Sequence, residues 1–174
     1  MSGKIKTAGK ALLVMAVLGV SACDNAIFGG GDDLGGSSAN GAFGADGNPL
    51  VERSPAYFQQ TIGDRVLFEV DQSGLNAEAE SILASQASWL VANPDYNATI
   101  EGHADEQGTR EYNLALGARR ANAAREFLIS QGVAGNRIRT VSFGKERPLE
   151  ICSAESCYAK NRRAVTILAA GLTG

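Results

Sequence analysis

The chain has 174 residues, of which 44% are hydrophobic and 20% charged, and these proportions are those of an ordinary soluble domain. Three lysines and no acid lie in residues 1–22, so the remainder holds 13 basic and 19 acidic residues. That balance excludes nucleic acid as a partner, because phosphate binding needs a basic face. Three cysteines without paired CxxC spacing do not make a structural zinc site, and we predict neither a metal nor a cofactor.

Residues 1–22 are predicted to be an export signal. Lys4, Lys6 and Lys10 precede an uncharged apolar run that ends in the letters VSAC at Cys23. Its 12 residues make a helix of about 18 Å, which is too short for a bilayer core of about 30 Å. The run looks like a lipobox, so we expect lipid chains on Cys23 that anchor the protein stably. The alternative is a plain secretory signal with a cysteine nearby.

Residues 23–60 are predicted to be a tether that begins at the lipidated cysteine. Residues 24–52 contain eight glycines, five acids and no base. Such a composition cannot bury enough apolar surface to offset the entropy of ordering the chain. The folded domain is therefore predicted for residues 61–174, held clear of the membrane.

Short strand patterns alternate with two amphipathic helix patterns in this domain. They predict strands at 65–70, 96–103, 138–143 and 163–169, and helices from the N-cap Asn76 to about 91 and from about 109 to 130. In the second helix the residues expected to face the core are Leu114, Ala118, Ala121 and Leu128. The order β-α-β-α-β-β predicts an α+β fold, a two-layer sandwich with helices packed on one small mixed β-sheet.

Three polar residues near the start of the second helix are candidates for a binding pocket. Asn113 and Arg120 are seven residues apart, so they project from nearly the same helix face, and Asp105 lies beside the first turn. A carboxylate, an amide and a guanidinium suit a zwitterionic ligand, since the carboxylate binds an ammonium and the guanidinium grips a carboxylate. The alternative is a solvated helix face with a local Asp–Arg pair.

The remaining reactive residues have structural interpretations. His103 is the single histidine, and we expect a strand-end side chain that bonds to a backbone group or water rather than a catalytic or metal-binding group. Cys152 and Cys157 lie in one loop of a chain with an export signal, which favours a small-loop disulfide over a reactive pair. The alternative for this pair is two buried free thiols.

Four sequence runs together resemble the outer-membrane protein A-like domain family over about residues 64–169. They lie at 100–109 (IEGHADEQGT), 111–123 (EYNLALGARRANA), 141–148 (VSFGKERP) and 160–165 (KNRRAV). The resemblance implies a non-enzymatic module that binds the meso-diaminopimelate of the peptidoglycan stem peptide. It also implies attachment to the outer membrane through the N-terminal lipid, with the domain facing the periplasm, and a role in the Tol system through its periplasmic β-propeller protein during cell division.

The same resemblance implies roles for individual residues. Asp105 is expected to bind the ligand ammonium, Arg120 its carboxylate and Asn113 its backbone. Asp71 matches an acid of the family that lines the pocket, although Val70 stands where the family has an aromatic residue. Arg163 is expected to be a further contact. The cysteine loop departs from the family pattern and is expected to form a disulfide clip near the pocket rim.

Two alternatives to wall binding as the main function are considered. One is a hub for protein interactions in the Tol system, with wall binding secondary. The other is a wall hydrolase, for which the sequence offers no identifiable acid and base pair.

Overall fold

A computed structural model describes residues 51–170 of the chain. The predicted signal, the lipidation site Cys23 and most of the predicted tether lie outside the described residues. Within residues 51–170 we find no helix with the length and apolar character needed to cross a membrane.

Four strands form one mixed sheet. They are β1 (Arg65–Leu67), β2 (Tyr96–His103), β3 (Ile138–Gly144) and β4 (Arg163–Ala170), in the spatial order β1-β4-β2-β3. The pair of β2 and β3 is parallel, and β4 is antiparallel to both of its neighbours. The carboxyl ends of β1 and β2 consequently lie at the same edge of the sheet.

Two long helices cover one face of this sheet. Helix α2 (Ala77–Ala92) begins at Asn76, whose side chain accepts a hydrogen bond from the Ala79 N–H at 2.8 Å. Helix α3 (Arg110–Ser130) connects β2 to β3, because two parallel strands need a crossover segment between them. The core between the layers is made of apolar side chains that include Leu83, Leu90, Ile100, Ala121 and Leu128. The predicted α+β sandwich is confirmed, with every predicted helix and strand present.

Helix α3 packs against β2 with almost no space between the two backbones. A Cβ atom added at Gly102 would lie 1.8 Å from the carbonyl oxygen of Gly117. Glycine at this position therefore permits the close approach of helix and strand that sets the position of the first turns of α3.

Four short elements were not predicted, and one of them is a 3-10 helix (Gly135–Arg137) directly before β3. Helix α1 (Pro55–Tyr57) continues into a π-helical turn (Phe58–Gly63), and α4 (Glu155–Asn161) precedes β4. Phe58 is fully buried and contacts Trp89 at 5.0 Å between ring centroids. The packed part of the chain therefore begins before the predicted domain boundary at residue 61, because the aromatic side chain joins the core.

The predicted inward face of the second helix is partly wrong. Leu114 is 44% exposed, whereas Leu116, Gly117 and Arg120 are buried. The apolar pattern alone was misleading, because polar side chains occupy the first half of the buried face.

Candidate binding pocket

A pocket of about 230 Å³ opens where the carboxyl ends of β1 and β2 meet the start of α3. Its lining residues are Val70, Asp71, Asp105, Gln107, Gly108, Tyr112, Asn113 and Leu116. The loop after β2 turns into the helix at Gly108, whose φ of +89° favours glycine, and Thr109 then caps α3. This turn brings Asp105 and Asn113 into the lining of one pocket.

Asp105 is held in a fixed orientation. One carboxylate oxygen accepts a hydrogen bond from the Gln107 N–H at 3.2 Å, and the other accepts from Nη1 of Arg162 at 3.2 Å. Asn113 is 1% exposed and donates from Nδ2 to the Gln107 carbonyl at 2.7 Å. The alternative of a solvated polar helix face is therefore wrong, because these groups belong to a buried network.

Arg120 is fully buried and lies behind the pocket rather than in its lining. Its guanidinium donates to the carbonyls of Gln72, His103 and Glu69 at 2.8, 2.9 and 3.1 Å. Burial lowers its pKa to about 10, although nearby Asp105 and Asp71 act in the opposite direction. The side chain remains a cation at neutral pH and joins the ends of both loops that form the pocket.

Asp71 stands on the opposite side of the pocket, after β1. Its φ of +59° lies in the left-handed region, which is uncommon for residues other than glycine. The Tyr112 hydroxyl donates a hydrogen bond to its Oδ1, and this bond raises the pKa of Tyr112. Val70, at the position where the family has an aromatic residue, lines the pocket and is exposed.

Arg162 and Arg163 are both buried but bond to different partners. Arg163 is absent from the pocket lining and donates to the carbonyls of Asn161 and Arg147 at 3.3 and 3.2 Å. Arg162 instead reaches Asp105 and donates from Nε to the Phe68 carbonyl at 3.1 Å. This difference could have been expected from the sequence, because adjacent residues at the start of β4 point to opposite faces of the sheet.

His103 is buried below the loops. Among the described residues neither ring nitrogen has a hydrogen-bond partner, and Nε2 lies 3.7 Å from Oε2 of Glu101. The ring stacks on Phe143 at 5.6 Å between centroids. Burial, with the positive charges of Arg163 and Arg147, lowers the pKa of His103 to about 4, so the ring is neutral at physiological pH.

The predicted cysteine pair forms a disulfide in the structure. The Cα atoms of Cys152 and Cys157 are 6.0 Å apart, and the bond spans the turn that leads into α4. Ser153 and Tyr158, in and next to this turn, both donate to Glu106 at 3.0 and 2.8 Å. The bond to Glu106 raises the pKa of Tyr158.

Other cavities differ in their lining: one of about 290 Å³ is lined by three glutamates but also by the basic Arg162. Another cavity, of about 550 Å³, lies between the segment before β1 and α2 and is lined by groups that include Tyr57, Trp89 and Arg53. None of the predicted site residues lines it. Within residues 51–170, no group of three or more His, Cys, Asp or Glu side chains is arranged to hold a metal ion.

Comparisons with known proteins agree with this architecture. A peptidoglycan-associated lipoprotein from Rhizobium meliloti is 57% identical over 111 residues, which are 64% of this chain and 63% of that protein. The protein of the same name from Brucella suis is 52% identical over 128 residues, which cover 74% of this chain and 76% of the relative. The match thus spans slightly less than two thirds of the first relative and about three quarters of the second.

Solved structures give the same result for the fold. The crystal structure of the peptidoglycan-associated lipoprotein from Burkholderia pseudomallei superposes with a TM-score of 0.63 at 34% identity, over 67% of this chain and all of that one. The C-terminal domain of Helicobacter pylori MotB shares the fold at 20% identity, with a TM-score of 0.58 over 63% of this chain and 86% of that one. The profile of the OmpA family matches residues 67–162, more than half of the sequence. By these matches the chain belongs to the OmpA family, and within it to the peptidoglycan-associated lipoproteins.

Proposed function

We propose that this chain binds peptidoglycan without covalent attachment and links the outer membrane to the cell wall through lipid on Cys23. The observation that carries the proposal is the pocket, where the carboxylates of Asp71 and Asp105 and the amide of Asn113 converge. No basic side chain of residues 51–170 lines it. This charge favours an ammonium group as ligand. The names of the relatives support a wall component as its source.

The proposed ligand group is the free end of diaminopimelate, which carries one ammonium and one carboxylate. Asp105 and Asp71 bind the ammonium from two sides, and Asn113 hydrogen-bonds the ligand backbone. Arg120 supplies positive charge beneath the pocket for the carboxylate, and three of its five N–H groups are already bonded to carbonyls. Arg163 has no place in this ligand set, because its bonds go to the loop before α4 and to the end of α4.

The partners of the proposal are the stem peptide, the outer membrane and the periplasmic β-propeller protein of the Tol system. The last of these, and a role in outer-membrane constriction at division, rest on the family resemblance. The chain is not an enzyme, in line with its family, so wall hydrolysis is not proposed.

The test is co-sedimentation of the purified full-length chain with sacculi. We expect Asp105→Asn to lower the affinity by at least about tenfold, because a charge-assisted hydrogen bond contributes roughly 1.5–3 kcal/mol. The matched control is Asp95→Asn, since that carboxylate is exposed and bonds to Arg53 away from the pocket. Circular dichroism checks that both variants fold.

Competition identifies the ligand. A free stem peptide with diaminopimelate should release the protein from sacculi, whereas a stem peptide with lysine at that position, which lacks the second carboxylate, should release much less. Equal binding by Asp105→Asn and wild type would contradict the assigned pocket. A folded wild type that ignores sacculi but retains the β-propeller partner would favour the interaction hub.

A further inference from the structure

The segment closed by the disulfide is joined to the pocket through Glu106. Ser153 lies between the two cysteines, and Tyr158 follows the second one. Both donate to the same oxygen of Glu106, at 3.0 and 2.8 Å. Glu106 does not line the pocket, but it is the next residue after Asp105, so fixing its side chain fixes the backbone that carries the Asp105 carboxylate.

A second set of contacts connects the same segment to the same carboxylate. Glu155, also inside the disulfide, accepts a hydrogen bond from Nη2 of Arg162. Nη1 of Arg162 donates to Oδ2 of Asp105 at 3.2 Å. The guanidinium is nearly buried, with 5% of its side chain exposed, whereas Glu155 is largely exposed. Glu155 therefore helps to hold this arginine against Asp105, together with the Phe68 carbonyl that accepts a hydrogen bond from its Nε.

The segment has little else to hold it in place. Residues 151–156 are all exposed, and Ala154, the residue before α4, provides no side-chain cap. Exposed hydrogen bonds of this kind contribute little unless their donors are already ordered. The cross-link supplies that order, because it restricts the conformations of the six residues from 152 to 157.

We propose that the Cys152–Cys157 disulfide positions the Asp105 carboxylate for ligand binding, with Glu106 and Arg162 as the positioning residues through which it acts. The inference rests on the proposed function, since it needs Asp105 to contact the ligand. It adds that affinity for the wall depends on formation of this bond.

The test compares the oxidised full-length chain with the double variant Cys152→Ser/Cys157→Ser by titration calorimetry with the diaminopimelate stem peptide. We expect the dissociation constant to rise roughly five- to tenfold, as for the loss of about one hydrogen bond. Glu106→Ala should raise it several-fold. Adding Glu106→Ala to the double variant should raise it by clearly less than the product of the separate effects, because both changes act on one contact set.

A spectroscopic readout separates positioning from stability. The Gln107 N–H donates to Asp105, so its amide resonance should shift in both the cysteine variant and Glu106→Ala. The control is Asn76→Ala, which removes the N-cap of α2 and should lower the thermal midpoint without changing the Gln107 resonance or the affinity.

The outcomes distinguish the two proposals. Wild-type affinity in the cysteine variant, or fully multiplicative effects with Glu106→Ala, would overturn the positioning role alone. Failure of the oxidised wild type to bind the stem peptide would overturn the proposed function together with this inference.

Discussion

The two halves of α3 present different chemistry to the same sheet. The first half places Asn113 in the pocket lining and buries Arg120 behind it, whereas the second half buries Ala124 and Leu128 in the apolar core. Hydrogen bonds are directional, so the polar half fixes where particular loop atoms lie. Apolar contact is not directional, so the other half contributes stability without specifying a site. The comparison indicates that only the polar half of this helix specifies the pocket, whereas both halves contribute to stability.

The polar half carries a cost that the apolar half does not. Burial of a guanidinium is unfavourable, as the lowered pKa of Arg120 reflects. The cost is offset by three bonds to carbonyls in the loop after β1 and at the end of β2. These segments lead to the two pocket carboxylates, so Arg120 sets the distance between them.

The largest expected effect comes from removing the Arg120 side chain, which joins these two segments. Arg120→Ala should lower the free energy of unfolding by about 3–5 kcal/mol, because it leaves three carbonyls without their buried donor. Leu128→Ala, on the same helix face, should cost about 3 kcal/mol through loss of apolar contact. Urea unfolding followed by the fluorescence of the single tryptophan, Trp89, measures both.

The two variants should differ in their affinity for the stem peptide. Under conditions where both are folded, Leu128→Ala should retain wild-type affinity for the stem peptide and Arg120→Ala should lose it. Equal retention would mean that the polar half of α3 does not specify the pocket.

His103 provides a smaller, pH-dependent effect at the pocket end. Its folded pKa of about 4 lies below the ordinary value of 6.5, so the unfolded chain binds the proton more tightly. The neutral His103 ring therefore contributes about 3 kcal/mol to the free energy of unfolding above pH 6.5. This contribution is lost as the pH falls towards 4. His103→Phe, which cannot titrate, should lack this part of the pH dependence.

Other acids titrate in the same range, so the measured quantity is the difference between the two proteins. Urea unfolding at steps from pH 7 to 4 should give a stability difference that changes with pH in the stated direction. The shift comes first from burial of the ring and then from the positive charges of Arg163 and Arg147. A difference that is constant over this range would mean that the imidazole keeps its ordinary pKa in the folded protein.

The fold was predictable because local signals agreed with one another. Asn76 marked the start of α2, and β2 was bounded correctly by its strand pattern. Helix α4 was missed because it has seven residues and no side-chain N-cap, so its position depends on the disulfide and on contacts distant in sequence.

The candidate site was predictable in composition but not in detail. The spacing of Asn113 and Arg120 placed them on one face, but it did not reveal that this face is buried, and Leu114 was therefore expected inside. The resemblance favoured Arg163 as the further contact, and alternation along a strand says only that Arg162 and Arg163 point in different directions. Which one meets Asp105 is decided by tertiary packing.

The smallest expected effect concerns the outer side of the pocket, at Tyr112. Tyr112→Phe removes the hydroxyl that donates to the Asp71 carboxylate. Asp71, whose backbone is in the uncommon left-handed conformation, then loses the hydrogen bond that holds its side chain. We expect the dissociation constant for the stem peptide to rise roughly three- to tenfold, as for one hydrogen bond. Stability should change by no more than about 0.5 kcal/mol, because both side chains are exposed.

The matched control is Tyr96→Phe, which removes a hydroxyl that donates to the Arg53 carbonyl at 3.1 Å, far in the fold from the pocket. Calorimetric titration of both variants with the stem peptide then shows whether affinity depends on a tyrosine hydroxyl at the pocket or on the loss of any tyrosine hydroxyl. If the two variants bind equally well, Asp71 needs no partner to act, and the polar network that specifies the pocket is confined to Asp105, Asn113 and Arg120. If only Tyr112→Phe weakens binding, the network extends to the exposed rim, and directional bonds define the pocket from its buried base to its mouth.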